Sequence, residues 1–315
     1  MIAQKQNGRP VVIAGSGVMG CGIAVCAALA GNETVLYDCY PQALDKALGR
    51  TRENLDEMVH YGLVSAQEAD AAAARIRTAE SLERACESAR LVIEAAFENL
   101  AVKQELFAQL DRLLPADVPI LSNTSGLRIS EIAAKTAHPE RTLAAHFWLP
   151  AILIPLVEVV IGERSSPALA EEISEELRSW GKVPVIVKRD CPGQLANRIL
   201  QAVIREAVNI VETGLASAED VDTAIKMGMA LRFPVWGPLE HVDAVGFDIC
   251  ASVQNTVLPE ISARKDASPL FAEMMSQGMN GYKTGKGFYD WSEKDMDALV
   301  RKRNDFIVHA LKKIR

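Results

Sequence analysis

The sequence predicts an α/β fold in which a doubly wound, mostly parallel sheet precedes an all-helical C-terminal domain. Short apolar runs alternate with helical patterns through about the first 190 residues, which is typical of βαβ units in a parallel sheet. After residue 190 the apolar spacing is helical only. We therefore expect a sheet domain over residues 1–190 and a helical domain over residues 191–315.

The predicted strands are short and lie in the first domain, at residues 10–14, 34–37, 91–94, 119–122, 142–147, 156–160 and 183–187. Residues 53–76 predict a helical hairpin that turns near Gly62, with Ser65 and Glu68 forming a capping box for its second helix. The other predicted helices cover the segment from the end of the glycine turn at residue 20 to about residue 30, and residues about 42 onwards, 101–114, 195–213, 218–227, 246–257, 268–275 and a charged tail from about 295.

The composition excludes several classes of function. The formal net charge of −7 argues against nucleic-acid binding, which needs a basic face, and disfavours an anionic membrane surface. Apolar residues make up 49% and charged residues 24%, as in an ordinary globular protein. Because the chain is acidic overall, a negatively charged substrate would need a local basic group.

The cysteines have neither metal-ligand nor redox-pair spacing. The chain has six, at positions 21, 26, 39, 86, 191 and 250, with no CxxC pair and no Cys/His cluster. The first nine residues contain no apolar signal segment, and no run approaches 18 continuous apolar residues. We expect no metal, no membrane span and a cytoplasmic protein with reduced thiols.

A glycine-rich turn, GSGVMG at residues 15–20, joins the first predicted strand to the first predicted helix. Gly15 permits the tight turn, Gly17 lets the backbone approach a pyrophosphate, and Gly20 lets the helix pack on the strand. Asp38 ends the next strand, where a carboxylate suits a ribose 2′-hydroxyl and repels a 2′-phosphate. This order predicts a Rossmann-type site for NAD rather than NADP.

Two titratable residues on predicted strands are candidates for acid–base chemistry. His146 lies near the carboxyl end of its strand, where ligands of open α/β sheets bind, and a free imidazole titrates near pH 6.5. Glu158 lies within an apolar strand, where a carboxylate is costly unless it is paired. Pairing of His146 with Glu158 would make His146 a general base. A hydrogen-bonded structural histidine and an edge-strand glutamate facing water are the alternatives.

Small polar residues follow another strand end and begin the helical domain. Asn123 and Ser125 lie in SNTSG just after the strand at 119–122, and Asn197 lies early in the first helix of the second domain. Hydrogen bonding to a ligand is one interpretation of these residues. Helix capping and a surface amide are the others.

Motifs along almost the whole chain carry a family resemblance: GSGVMG, IEAAFENLAVK (93–103), SNTSGL (122–127), HFWLP (146–150), LVEV (156–159), DCPGQLANRI (190–199), DVDTAIKMG (220–228), WGPLEHVDAVGFD (236–248) and GYKTGKGFYDW (281–291). With these motifs the chain resembles the L-3-hydroxyacyl-CoA dehydrogenase superfamily. The resemblance implies a Rossmann-type domain, a helical domain through which homodimers form, and NAD-dependent oxidation of a 3-hydroxyl group.

The resemblance also implies roles for individual residues. His146 would be the base, Glu158 its partner, and Ser125 and Asn197 the groups that hydrogen-bond substrate oxygens. The family's cofactor contacts correspond to Gly15, Gly17, Val18, Met19, Gly20, Asp38, Ala95, Glu98, Lys103 and Asn123.

The chain departs from the acyl-CoA pattern around the substrate site. Leu149 replaces the asparagine of the family's HFNP-like motif, and Gln194 replaces the phenylalanine of PGFxxNR. In the family's GPFELxD motif, Leu239 and His241 replace phenylalanine and leucine. We therefore expect an unusual substrate pocket.

The segment MALRFPVW (229–236) is longer than in acyl-CoA enzymes and carries Arg232. It resembles the branch that acts on free hydroxy acids, with carnitine dehydrogenase and L-gulonate 3-dehydrogenase (λ-crystallin). An arginine fork suits a free carboxylate, so we expect Arg232 to anchor one; a surface or interface arginine is the alternative.

The sequence is compatible with three functions. The first is NAD-dependent oxidation of a small free 3-hydroxy acid, and the second is oxidation of a 3-hydroxyacyl-CoA thioester in fatty-acid-type β-oxidation. The acidic hairpin at 53–76 would not attract anionic CoA and so favours the first, although a solvated acidic helix face explains its composition equally well. The third is an NAD-binding structural protein with little turnover, which would not need His146 and Glu158 together.

Overall fold

The computed structural model describes residues 8–314 and divides into two compact units between Arg198 and Ile199. The domain boundary predicted near residue 190 lies shortly before this division. The segment between the two positions contains the start of a long helix, α8 (Ala196–Glu212). This helix therefore begins in the first unit and continues into the second.

The first unit contains one eight-stranded sheet with the order β3-β2-β1-β4-β5-β6-β7-β8. Its strands are β1 (Val11–Ala14), β2 (Thr34–Tyr37), β3 (Ile76–Thr78), β4 (Leu91–Glu94), β5 (Ile120–Ser122), β6 (Thr142–Phe147), β7 (Leu156–Val160) and β8 (Val183–Val187). Every pair of neighbours is parallel except β6 and β7, which are antiparallel. The predicted doubly wound, mostly parallel sheet is confirmed.

Helices of the first unit connect these strands. They are α1 (Val18–Leu29), α2 (Pro41–His60), α3 (Ala66–Ala74), α4 (Leu82–Cys86), α5 (Leu100–Leu113), α6 (Ile129–Ile132) and α7 (Pro167–Ser179), with 3₁₀ turns at Ala133–Lys135 and Pro139–Arg141. Val11, Val12 and Ile13 are all fully buried. Since successive side chains of a strand point to opposite faces, both faces of β1 are covered.

The helical hairpin forms as predicted, and some elements are additional. The Ser65 hydroxyl accepts a hydrogen bond from the Glu68 amide at 3.2 Å, and the Glu68 carboxylate accepts one from the Ser65 amide at 2.7 Å. The sequence pattern missed β3, α4, α6 and α7. Strand β3 has three residues and is only partly buried at the edge of the sheet, so its apolar pattern is weak.

The second unit is helical, as predicted. Beyond α8 it contains α9 (Ala218–Ala224), α10 (Pro238–Val245), α11 (Phe247–Val257), α12 (Pro269–Ser276) and α13 (Met296–Ile314), with a 3₁₀ turn at Tyr282–Thr284. The helix predicted over 218–227 is α-helical only to Ala224 and continues as a π-helix over Ile225–Met229. Helix α10 was not predicted. Of the described residues in this unit, only Val208, Val221, Asn304 and Val308 are buried.

Candidate active site

The glycine turn after β1 has the geometry of a phosphate-binding turn. Gly15 has φ +118°, and a Cβ there would lie 2.4 Å from the carbonyl oxygen of Ala95. A Cβ on Gly20 would lie 1.8 Å from the carbonyl oxygen of Gly15. Around Gly17 no atom of residues 8–314 other than those of its chain neighbours lies within 4 Å of the Cβ position. Two glycines are therefore required by close packing, and the third leaves open space beside the backbone.

The open space adjoins the start of α1. Gly17 is the N-cap and makes no side-chain capping bond, and the first turn contains no acidic residue. The first intrahelical bond runs from the Cys21 amide to the Gly17 carbonyl at 3.0 Å. The amides of Val18, Met19 and Gly20 precede that bond and can therefore donate to an anion, which the helix dipole also favours. The turn fits the pyrophosphate of a dinucleotide.

Asp38, at the end of β2, is held in a fixed position. Its Oδ2 accepts hydrogen bonds from the amide and hydroxyl of Ser16 at 2.7 and 3.0 Å, and Oδ1 accepts one from the Tyr40 amide at 3.0 Å. The Arg50 guanidinium donates to the Ser16 carbonyl at 3.2 Å. This network links the carboxylate to the glycine turn, and the contact of Asp38 with a cofactor ribose stays a prediction.

His146 and Glu158 form a buried pair across the antiparallel strands β6 and β7. They are register partners in the ladder, and His146 Nδ1 lies 2.7 Å from Glu158 Oε2. The two residues are 5% and 0% exposed. Because β8 continues the sheet beyond β7, Glu158 is not an edge residue facing water. With Nδ1 committed to the carboxylate, Nε2 is the nitrogen that can accept a proton.

The Glu158 carboxylate accepts hydrogen bonds from three further donors. The Leu195 and Ala196 amides, at the start of α8, each donate to Oε1 at 2.8 Å. The Trp148 indole Nε1 donates to Oε2 at 3.0 Å. Burial alone would raise the pKa of Glu158, but the hydrogen bonds from His146, Ala196, Trp148 and Leu195 outweigh it and lower the pKa to about 2. Glu158 is therefore an anion at every working pH.

Trp148 was not identified from the sequence, although a pattern points to it. It stands two residues after His146, and side chains at i and i+2 of extended chain lie on one face. The two rings are 5.5 Å apart between centroids.

The polar residues predicted around the base lie in the same unit. The Asn197 amide Nδ2 donates to the Ser125 carbonyl at 3.2 Å, which brings these two residues together. Asn123 Oδ1 accepts from the Phe147 amide at 2.8 Å, which leaves Nδ2 as the end of that amide able to donate to a ligand. Ser125 is exposed. Their roles toward substrate and cofactor stay predictions.

A second buried cluster adjoins the turn, and one of its members, Glu94, was missed by the sequence analysis. Lys103 is 1% exposed, and its Nζ lies 2.5 Å from Glu94 Oε1 and 3.3 Å from Glu98 Oε2. Ser122 donates to Glu94 Oε2 at 2.5 Å. Lys103 thus neutralises Glu94 within the fold, and its predicted contact with the cofactor stays a prediction.

Glu98, also predicted to contact the cofactor, organises the loop after β5. Its Oε1 accepts hydrogen bonds from the Thr124 hydroxyl at 2.6 Å and from the Ser125 and Gly126 amides at 3.0 and 3.1 Å. Burial works to raise the pKa of Glu98, but Thr124, Lys103 and the Gly126 amide lower it overall. The anionic form of Glu98 therefore holds Ser125 in place.

Arg232 lies in the second unit, in the exposed turn after the π-helix. Its amide donates to the Met229 carbonyl at 3.0 Å, and its own carbonyl accepts from the amides of Val235 and Trp236. Within residues 8–314 its guanidinium has no acidic partner. The basic group therefore remains available to an anion.

Two kinds of site are absent from the part of the chain that the structure describes. No three His, Cys, Asp or Glu side chains are grouped so that they could hold a metal ion. No helix there has the length and apolar character needed to cross a membrane.

Two family models match consecutive parts of the chain. The model for the 3-hydroxyacyl-CoA dehydrogenase NAD binding domain matches residues 10–191. The model for the 3-hydroxyacyl-CoA dehydrogenase C-terminal domain matches residues 193–291. The glycine turn, Asp38, His146 and Glu158 all lie within the first match, and Arg232 lies within the second.

Relatives with two kinds of substrate match nearly the whole chain. A protein of Mesorhizobium japonicum named 5-formyl-3-hydroxy-2-methylpyridine 4-carboxylate 5-dehydrogenase is 35% identical and covers 94% of each chain. A crystal structure of the dehydrogenase for that pyridine carboxylic acid, an NAD⁺-dependent dismutase, matches with TM-score 0.88 at 33% identity, covering 97% of this chain and 98% of its own. The structure of (S)-3-hydroxybutyryl-CoA dehydrogenase from Ralstonia eutropha matches with TM-score 0.75 at 33% identity, covering 90% and 99%.

Proposed function

Because the chain belongs to the 3-hydroxyacyl-CoA dehydrogenase family, whose members are NAD-dependent oxidoreductases acting on CH–OH groups, we propose that it oxidises the L-3-hydroxyl of a small free hydroxy acid. The observation that carries the role of the base is the 2.7 Å contact between His146 Nδ1 and Glu158 Oε2. The observation that favours a free acid is Arg232, which has no acidic partner among the described residues.

The chain's own residues perform the proton half of the reaction. His146 Nε2 accepts the proton of the substrate hydroxyl, and the Glu158 carboxylate stabilises the imidazolium that results. Ser125 and Asn197 hold the substrate oxygen as its bond to carbon becomes a carbonyl. Bound NAD would supply the carbon that takes the hydride from C3. The C–H electron pair leaves as hydride and the O–H proton leaves to His146, so a ketone remains.

Charge and similarity both support a free carboxylate rather than CoA. The exposed face of α2 and α3 carries Glu53, Asp56, Glu68 and Asp70, which would repel the phosphates of CoA. Arg52 on the same face is already paired with Asp56 and Asp70, at 2.8 and 2.5 Å. The Mesorhizobium relative is named for a pyridine carboxylate, a substrate that bears a free carboxylate.

A 3-hydroxyacyl-CoA thioester is the second candidate substrate, favoured by the Ralstonia relative and by the family itself. An NAD-binding protein with little turnover is the third candidate. The His146–Glu158 pair argues against it, because NAD binding alone does not need these two residues together. Turnover separates the third candidate from the other two, since NAD binding is common to all.

Replacing Arg232 with methionine is expected to raise KM for an acid substrate about 10- to 100-fold, because a charge-assisted hydrogen bond to the carboxylate is lost. The expected change in kcat is small, since the carboxylate is bound equally in the ground and transition states. Initial rates over a range of substrate concentrations measure both. Arg301→Met, at another exposed arginine of the second unit, is the control. An unchanged KM in Arg232→Met removes the carboxylate anchor.

We also propose that two copies of the chain associate through the second unit. Four of its large apolar side chains are 72–85% exposed, namely Leu215, Val235, Leu239 and Phe247. An apolar groove of about 510 Å³ between α8 and α9 is lined by Val203, Ala207, Ile210 and Val221, among others. Exposed apolar surface of this kind supports an interface between two copies. Light scattering should give twice the chain mass of 34.2 kDa, and a monomer at micromolar concentration would contradict this.

The thiols support a reducing compartment, and we propose the cytoplasm. All six cysteines are free. Burial raises the pKa of Cys21 to about 11 and that of Cys86 to about 12, so these thiols are unreactive. Thiol labelling of the denatured protein, without prior reduction, should modify all six cysteines. Modification of fewer than six would indicate a disulfide and contradict the proposal.

A further inference from the structure

The Trp148 indole binds the carboxylate oxygen that also binds the catalytic base. Nε1 of Trp148 lies 3.0 Å from Glu158 Oε2, and His146 Nδ1 lies 2.7 Å from the same atom. The two backbone amides of Leu195 and Ala196 bind the other oxygen, Oε1. Of the three donors other than His146, the indole is therefore the one that shares the imidazole's acceptor atom.

We propose that Trp148 is a positioning residue that, through Glu158 Oε2, keeps His146 neutral and ready to accept a proton. This inference rests on the proposed role of His146 as the base. The indole N–H acts in two ways. It fixes Oε2 on the line of the imidazole Nδ1–H, and it draws negative charge away from the atom that would stabilise the imidazolium.

The sign of the effect follows from the charge on Oε2. A carboxylate oxygen that accepts an additional hydrogen bond attracts an imidazolium less strongly, because hydrogen bonding disperses its charge. Protonated His146 is then less favoured relative to neutral His146. Without the indole, Oε2 would stabilise the imidazolium more, and the base would be protonated up to a higher pH.

The other groups that bind Glu158 remain in place when the indole N–H is removed. From β6 it faces His146, and its register partner on β8 is Val185, an apolar residue. The start of α8 contributes the two amides, which do not titrate. Hydrogen bonding lowers the pKa of Glu158 to about 2. A kinetic ionisation near neutral pH therefore does not belong to Glu158.

The test compares Trp148→Phe with the unaltered protein. The phenyl ring keeps most of the side-chain volume but has no N–H. We expect the acidic limb of the kcat/KM–pH profile to move to higher pH by about 0.5–1 unit, which is a three- to tenfold loss on that limb. Above the limb, kcat/KM should change little. A limb that stays in place would overturn the proposal.

The same shift can be observed without turnover. The chain has five histidines, so labelling their Cε1 carbons gives few NMR signals, and His146→Gln identifies the one from His146. The midpoint of that titration should rise by about 0.5–1 pH unit in Trp148→Phe. If His146→Gln abolishes turnover while this midpoint does not move, the inference about Trp148 is wrong and the proposed function survives. If His146→Gln remains active, the proposed function is wrong.

Trp180→Phe is a matched control. Trp180 Nε1 also donates to a buried carboxylate, Glu176 Oε1 at 2.9 Å, but on α7. Its replacement removes the same kind of hydrogen bond and should cost similar stability. It should leave both the pH profile and the His146 titration unchanged, and a shift as large as that in Trp148→Phe would assign the effect to general loosening of the fold.

Discussion

Replacing His146 with glutamine is expected to lower kcat by about 10²–10⁴-fold, the usual contribution of a positioned general base. Glutamine is polar and of similar length but cannot accept the hydroxyl proton. Glu158 would still have three donors, Trp148, Leu195 and Ala196, so its burial should not become much more costly. Initial rates at saturating substrate measure the loss of kcat.

Two comparisons make that result specific. NADH affinity, measured by fluorescence titration, should stay within a few-fold of normal, because the glycine turn and Asp38 are untouched. His138→Gln is the matched control, since His138 is exposed and pairs with Glu140 at 3.2 Å. A near-normal kcat in His146→Gln would show that another group accepts the proton.

Replacing Lys103 with methionine is expected to destabilise the protein by about 3–5 kcal/mol, the usual cost of leaving one charge of a buried pair without its partner. Glu94 is 0% exposed, and Lys103 Nζ is its counter-ion at 2.5 Å. Ser122 and the Ala96 amide would still donate to Glu94, but neither carries a charge. Urea unfolding measures the change in free energy.

The control for this pair keeps the methionine and removes the charge. Adding Glu94→Gln to Lys103→Met should recover much of the lost stability, because no buried charge then remains unpaired. Arg178→Met breaks an exposed pair with Glu175 and should cost less than about 1 kcal/mol. If Lys103→Met lowers the free energy of unfolding by no more than Arg178→Met does, the buried pair does not stabilise the fold.

The parts of the site that the sequence predicted are those in which a residue type conflicts with its local pattern. Three glycines between a strand and a helix, and a glutamate inside an apolar strand, are unfavourable unless a ligand or partner compensates. The contact of Glu158 with His146 could not be derived in this way. It depends on the antiparallel register of β6 and β7, which a run of otherwise parallel strands does not predict.

Glu94 and Trp148 show where the available pattern was not used. Glu94 ends the apolar strand β4, where a carboxylate is costly unless it is paired, as Glu158 is in β7. Trp148 follows His146 by two residues, just after β6 ends at Phe147. Helix α10 also has a local start pattern, since Pro238 follows the N-cap Gly237 and Glu240 accepts a hydrogen bond from the Gly237 amide at 2.7 Å.

The second unit is predicted less well for a physical reason. Most of its helices have few buried residues within one chain, so the pattern that marks a core face is not distinguished from one that marks an interface. Its π-helix at Ile225–Met229 contains no buried residue, and it precedes the turn that carries Arg232.

The most direct test of the proposed function is the formation of NADH from NAD with a panel of substrates. L-3-Hydroxybutyryl-CoA would be compared with L-3-hydroxybutyrate, L-carnitine and L-gulonate at alkaline pH. We expect turnover of at least one free acid, with a higher kcat/KM than for the thioester, and loss of that turnover in His146→Gln. Turnover of the thioester alone would contradict the carboxylate anchor and assign the protein to β-oxidation-type chemistry.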